Sequence, residues 1–193
     1  DDYLASPYVV EPLRRDDCCL VSDGGAAIIV MSAERATSLG IDHAVPILGF
    51  GQGQESLDVH LRPSLTRTCA SASAETAFSM AGLKPADISM AQLYDCFTIT
   101  ALVTMEDYGF APRGGAGAFV RDCGIGPREG FPINTSGGLL SESGTPGLQL
   151  VIEGVRQMRG DANLQSTSAR NCIVSNQGGT MHSHSTLILG AAQ

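Results

Sequence analysis

The stretch Asn134-Thr135-Ser136-Gly137-Gly138-Leu139-Leu140-Ser141-Glu142 places two adjacent glycines a few residues ahead of an amphipathic helix. The helix is predicted to begin at Thr145-Pro146, as an N-cap and a first-turn proline, and to end near Gly160. Glycines allow close approach to the backbone, and a helix start favours negative charge, so this stretch is a candidate anion or oxyanion site. The alternative is a tight connection that binds nothing.

Outward from this stretch, apolar residues alternate between the periods of strands and helices. Strands are predicted at 26–31, 45–50, 88–94, 172–174 and 186–189. Helices are predicted at 32–40, 66–81 and 95–109, and 110–138 is predicted to be mostly loop. The many small residues of 66–81 indicate a helix that lies close against a neighbour or within a dimer core. The order of elements predicts a layered α/β domain.

Composition restricts the class of protein. The 193 residues, 43% of them hydrophobic, fit one domain spanning 1–193. Twelve basic against twenty acidic residues give a net charge of −8, which disfavours nucleic acid as a partner. Because the chain has no long apolar run and no signal peptide at Asp1, we expect no membrane contact and a cytoplasmic location. Six cysteines without a Cys-x-x-Cys pair disfavour a metal site and a disulfide framework.

Several side chains at the predicted strand ends could carry chemistry. Tyr94 could transfer a proton if its hydroxyl faced a cleft, although a ring in the core is the simpler interpretation. Asp95 can cap the helix that follows it. His182 and His184 are two residues apart and would share one face of a strand, where they could act as acid and base. Cys96 is interpreted as structural, because Asp95 beside it opposes a thiolate.

Four segments together resemble the C-terminal half of the thiolase superfamily, in particular the sterol-carrier-protein-x thiolases and the lipid-transfer-protein aldolases of steroid side-chain degradation. They are SDGGAA at 22–27, YDCF at 94–97, NTSGGLLSE at 134–142 and VRQMRG at 155–160. The resemblance implies a thiolase-like C-terminal domain of the α/β class, with a mixed five-stranded sheet sandwiched between helices. It also implies lipid metabolism, a coenzyme A thioester as substrate and no tightly bound cofactor.

The family's other half carries the nucleophilic cysteine, so the resemblance implies that this chain alone is catalytically incomplete. It would be a fragment, or a subunit that pairs with a thiolase N-terminal half. A homodimer or a heteromer is implied, as is a zinc-ribbon and OB-fold partner that helps to hold acyl-CoA. Phosphates of coenzyme A would need basic contacts, and the candidates are Arg113, Arg121 and Arg128.

One departure from the thiolase pattern favours a different reaction. Aligned on Gly137-Gly138, the family's catalytic histidine falls on Gly144, and the loop at 175–179 lacks the family's second cysteine. Tyr94 matches the tyrosine of the aldolase-like branch. The resemblance therefore favours retro-aldol cleavage next to the thioester over Claisen thiolysis by an acyltransferase. The alternative is a non-catalytic scaffold, or a half that binds acyl-CoA or lipid and needs a partner chain for the active site.

The resemblance and the loops together define the candidate site residues. The candidates for catalysis are Tyr94, His182, His184 and Ser175. The candidates for substrate binding are Asp95, Asn134, Gly137, Gly138, Ser143, Gly144, Asn176 and Gly179. Backbone or side-chain groups of Asn176 and Gly179 would hold the oxyanion.

Overall fold

The computed structural model describes residues 1–145 and 147–192. Its strands are β1 (Tyr8–Val10), β2 (Leu13–Arg14), β3 (Ile47–Gln54), β4 (Ala91–Gln92), β5 (Asn171–Gly178) and β6 (Ser183–Gly190). Its helices are α1 (Asp2–Ala5), α2 (Ala33–Ser38), α3 (Ala70–Ala81), α4 (Thr98–Asp107), α5 (Ala116–Cys123), α6 (Gly138–Ser141) and α7 (Leu148–Arg159). Among the residues described, no helix is long and apolar enough to span a bilayer.

The main sheet has the strand order β3-β6-β5-β4 and is mixed. β6 pairs antiparallel with both β3 and β5, whereas β5 and β4 are parallel. Neighbouring residues of β5 point to opposite faces, so Ile173 packs with α3 and α4 while Val174 packs with α7. The sheet is therefore sandwiched between helices, as the resemblance implies.

The predicted fifth strand does not form in the described part of the chain. Residues 26–31 have no regular structure, and the side chains of Ile29 and Val30 are 86% and 68% exposed. A β-branched run becomes a strand only where another strand satisfies its backbone groups and side chains cover its faces. The sheet described here has four strands, with a single parallel bridge from Ala91 to Ile133 beyond β4.

A stripe of glycines on β3 brings the helix α3 directly onto the sheet. Gly49, Gly51 and Gly53 alternate along the strand and face the helix. A Cβ atom at each would overlap a backbone carbonyl oxygen of α3 or its N-cap, on Ala77, Ser73 and Cys69 in turn. The close packing predicted for this small-residue helix is thus confirmed, and its neighbour is a strand of the same chain.

One predicted boundary needs correction, and one predicted loop contains a helix. The region 110–138 is mostly loop, as predicted, but it also holds α5, whose Phe119 and Val120 pack on the core. The helix predicted to begin at Thr145-Pro146 begins at Leu148, after a left-handed N-cap at Gly147 with φ 68°. Pro146 lies outside the described residues.

Candidate active site

The predicted site lies where β4 and β5 end. Because these two strands are parallel, their carboxyl ends meet at one edge of the sheet. The Tyr94 backbone N–H, just beyond β4, donates to Ser175 Oγ of β5 at 2.9 Å. Asn176 lies against Gly147 at the start of α7, where a Cβ on the glycine would overlap the Asn176 amide. Tyr94, Ser175 and Asn176 are therefore brought together.

The Tyr94 side chain is half-buried. Like the side chains of Cys19 and Cys96, it packs against the apolar cluster that α7 covers. Burial raises the pKa of the Tyr94 phenol above its ordinary value, and the nearby Cys96, Cys19 and Asp95 raise it further. At neutral pH the phenol is therefore protonated, and it can donate a hydrogen bond or a proton.

Asp95, just beyond β4, holds the stretch around Gly137-Gly138 by a hydrogen bond. Its Oδ1 accepts the Leu139 N–H at 2.7 Å, and desolvation raises the pKa of this buried carboxyl against the opposing effect of that bond. Asn134 binds the backbone of Leu93 through both amide atoms, at 2.6 and 2.9 Å. The start of α6, which includes the Gly137-Gly138 pair predicted to attract an anion, is thus already occupied by a carboxylate of this chain.

A segment from the N-terminal part of the chain covers the position of the family's histidine. Residues 18–22, called the strap here, cross in front of Gly144, whose N–H donates to Ser22 Oγ at 3.0 Å. A Cβ on Gly144 would overlap the Leu20 carbonyl oxygen. Only glycine fits at this position, because any larger residue would overlap the backbone of the strap. The motif at 22–27 gives no signal for this contact in the sequence.

We expect Gly144→His to weaken the fold and to leave thiolysis activity absent, because the backbone of Leu20 occupies the space that the imidazole needs. The free energy of unfolding should fall by about 1–3 kcal/mol, as for other overpacked sites. Urea unfolding measures this loss. Gly25→Ala is the matched control, since nothing lies within 4 Å of the added Cβ. Unchanged stability of Gly144→His would contradict the described strap position.

The two histidines do not lie on one strand, because His184 belongs to β6 and His182 precedes it. His182 lies in the turn between β5 and β6, where Gly178-Gly179 opens a hairpin and Met181 has φ 63°. Its backbone oxygen accepts the Glu55 N–H at 2.8 Å, and a Cβ on Gly179 would overlap its ring. His182 and Gly179 therefore lie at the end of the sheet that also carries Tyr94.

His184 belongs to the core. It is 2% exposed, and its Nε2 lies 2.9 Å from the hydroxyl of Tyr108, which also bonds Thr186 at 2.6 Å. Burial lowers the pKa of His184 to about 4, so the ring is neutral at pH 7. Its ring meets that of Tyr108, whose cluster lies on the face of the sheet opposite Tyr94. His184 is therefore separated from the Tyr94 side chain, although Tyr108 links it to Ser175.

A cleft of about 250 Å³ adjoins the strap. Gly24 and Gly25 line one side, and Ser143 and Arg156 lie on the other. Of the arginines predicted to bind phosphate, Arg113 pairs with Asp107 and Arg121 pairs with its neighbour Asp122 at 3.0 Å. Arg156 lines this cleft together with the carboxylates Glu142 and Glu153.

Comparison with known proteins identifies the family. Residues 51–191 match the family model described as "Thiolase C-terminal domain-like". The chain belongs to this family. The predicted resemblance to the thiolase superfamily is thus confirmed, and so is the thiolase-like α/β fold, apart from its fifth strand.

Relatives of this thiolase-like chain include one named an aldolase and one named a lyase. It is 38% identical to a "Steroid side-chain-cleaving aldolase" of Thermomonospora curvata, over 99% of this chain and 49% of that protein. It is 36% identical to the "17-hydroxy-3-oxo-4-pregnene-20-carboxyl-CoA lyase" of Mycobacterium tuberculosis, over 98% of this chain and 50% of that protein. An "Acetyl-CoA acetyltransferase" of Methanocaldococcus jannaschii is 37% identical, over 86% of this chain and 44% of that protein.

Two solved structures share the fold. The "Ltp2-ChsH2(DUF35) aldolase" matches with TM-score 0.90 and 35% identity, over all of this chain and 51% of that one. A monomeric SCP2-thiolase-like protein of Mycobacterium smegmatis matches with TM-score 0.70 and 18% identity, over 98% of this chain and 39% of that one. The thiolase-like chain thus spans about half the length of the first curated relatives it matches.

Proposed function

We propose that this chain is the C-terminal lobe of a thiolase-like aldolase, which cleaves the Cα–Cβ bond of a β-hydroxyacyl-CoA by a retro-aldol reaction. The steroid side chain is the proposed substrate class, on the strength of one relative named a steroid side-chain-cleaving aldolase and another named a pregnene-carboxyl-CoA lyase. Two features together carry the proposal. Tyr94 lies at the edge of the sheet, and the backbone of Leu20 fills the space beside Gly144.

The filled Gly144 position argues against thiolysis. A Claisen thiolase needs a base beside its nucleophile, and no side chain fits at Gly144 without moving the strap. A retro-aldol cleavage forms no acyl-enzyme. It needs a base for the β-hydroxyl proton, and a donor for the enolate that forms when the Cα–Cβ bond breaks. The products are a ketone and a shorter acyl-CoA.

Tyr94 fits the role of the donor. With its pKa raised, the phenol is neutral and can stabilise the enolate oxygen or protonate Cα. The Asn176 amide lies at the same strand ends and is our candidate for a second enolate contact. His182, at this end of the sheet, remains the candidate base of this lobe, whereas the buried and hydrogen-bonded His184 is assigned a structural role.

A second lobe completes the proposed enzyme. The chain matches about half of its relatives, and the apolar segment 26–31 is exposed. We propose that the second lobe, on the same polypeptide or on a separate one, covers this segment. A homodimer or heteromer, and a zinc-ribbon and OB-fold partner like the family's, belong to the same proposal. The Ltp2-ChsH2(DUF35) aldolase supports a partner chain, since its name joins two components.

The test is an assay of the chain with and without a thiolase-like N-terminal lobe. The substrate is a β-hydroxyacyl-CoA with a tertiary β-carbon, and mass spectrometry detects the ketone and the shortened acyl-CoA. We expect both products in equal amounts, and only when the two lobes are together. Binding of acyl-CoA without turnover in the assembled protein would replace the aldolase proposal with the scaffold or acyl-CoA-binding alternative.

A further inference from the structure

Two cysteines distant in sequence face each other across a short antiparallel contact. Cys18 and Phe97 form an isolated antiparallel bridge. In such a pairing, the residue after Cys18 stands opposite the residue before Phe97, so Cys19 faces Cys96. The Cys19 N–H donates to the Cys96 carbonyl oxygen at 2.9 Å, which agrees with this register. The two side chains therefore lie on the same face of the pair, and Cys18 lies on the other.

The spacing of such a pair suits a covalent bond. Directly opposed residues of the hydrogen-bonded type have Cα atoms about 5.5 Å apart, within the range of about 4.4–6.8 Å seen for disulfides. Both side chains are half-buried and pack on the same apolar cluster. Burial raises the pKa of the Cys19 thiol, and the charge of a Cys96 thiolate raises it further, as expected for neighbouring sulfur atoms.

We propose that Cys19 and Cys96 are a reversible dithiol–disulfide pair, which a peroxide oxidises and a dithiol reduces. The bond would join the strap to Cys96, which lies two residues before the start of α4. The strap covers Gly144, and Cys96 lies beside Tyr94. Oxidation would therefore hold the strap in place over the candidate site. The pairing itself does not rest on the proposed function.

The chemistry balances with hydrogen peroxide as the oxidant. Cys96 loses its thiol proton and attacks one peroxide oxygen, the O–O bond breaks, and a sulfenic acid and a hydroxide form; the hydroxide takes up the released proton to give one water. The Cys19 sulfur then attacks the Cys96 sulfur, the S–OH bond breaks, and a second water leaves. The two sulfur atoms lose two electrons to the peroxide. Cys19, whose raised pKa keeps it protonated, is the second thiol to react.

The experiment treats the full chain with hydrogen peroxide and maps its peptides without reduction. We expect a single cross-link between Cys19 and Cys96, and a fall in titratable thiols from six by two, reversed by dithiothreitol. The Tm of the oxidised chain should rise by roughly 5–10 °C. The cross-link should disappear in Cys19→Ser and in Cys96→Ser. Cys18→Ser is the matched control and should keep it.

Three results would overturn the inference. One is a cross-link that involves Cys18, which would mean that the register is different. Another is conversion of Cys96 to sulfinic acid with no cross-link, which would mean that Cys19 is out of reach. The third is an unchanged set of six thiols after peroxide treatment. Because mapping of the unmodified chain decides among these results, the inference does not depend on the serine variants folding well.

Discussion

Replacing Tyr94 with phenylalanine in the assembled enzyme is expected to lower kcat for C–C cleavage by about 10²–10⁴-fold, with little change in KM. The variant keeps the half-buried ring and its packing beside Cys19 and Cys96, and it removes only the hydroxyl that serves the enolate. Steady-state kinetics with a β-hydroxyacyl-CoA measures the loss. Tyr8→Phe is the matched control, since the Tyr8 side chain is 51% exposed and lies on β1, outside the candidate site.

The pH profile tests the same role. Burial and neighbouring groups hold the pKa of Tyr94 above its ordinary value of about 10, so the phenol stays protonated through neutral and mildly alkaline pH. Activity that depends on this proton should persist past pH 10 and fall only as the pH passes the raised pKa. Tyr94→Phe should lose this alkaline decline. An unchanged kcat in Tyr94→Phe would make Tyr94 a packing residue.

Gly51→Ala is expected to destabilise the chain more than any surface substitution, by at least about 3 kcal/mol. The new Cβ would overlap the Ser73 carbonyl oxygen, which is part of the backbone of α3 and cannot swing away. Moving the helix would also lengthen the bond from Ser73 Oγ to the Gly51 oxygen, now 3.0 Å, and the bond from Ser73 to Thr186, now 2.6 Å. Urea unfolding of the full chain measures the difference.

The matched control for this prediction is Gly117→Ala. Gly117 lies within α5, and nothing is within 4 Å of its added Cβ. Alanine there should leave stability unchanged or raise it by up to about 1 kcal/mol, because glycine is a poor helix former. Equal stability of Gly51→Ala and Gly117→Ala would mean that α3 does not rest on the glycine stripe.

The sequence predicts the elements that carry their own local signals. The apolar patterns at 172–174 and 186–189 form parts of β5 and β6, and Gly82 and Gly160 end α3 and α7 as glycines of left-handed φ. The run at 26–31 has the composition of a strand but no partner in the described structure. Composition measures the tendency to form a strand, while a partner strand decides whether one forms.

The candidate site is predictable only in part, for a similar reason. Tyr94 and Asp95 follow a strand and precede a helix, so local pattern places them at the edge of the sheet. His182 lies in the turn before β6, so its two-residue spacing from His184 does not determine where its side chain points. The contact between the strap and Gly144 joins residues distant in sequence, and nothing in either segment alone encodes it.

The most direct test of the proposed reaction is the requirement for free coenzyme A. Retro-aldol cleavage releases a ketone and one shorter acyl-CoA and consumes no coenzyme A, whereas thiolysis transfers an acyl group to it and yields two thioesters. We predict that the assembled enzyme cleaves a β-hydroxyacyl-CoA at the same rate with and without added coenzyme A, and that it does not thiolyse a β-ketoacyl-CoA. Cleavage of the β-ketoacyl-CoA that consumes one equivalent of coenzyme A and yields two thioesters, with the β-hydroxyacyl-CoA left intact, would contradict the aldolase account.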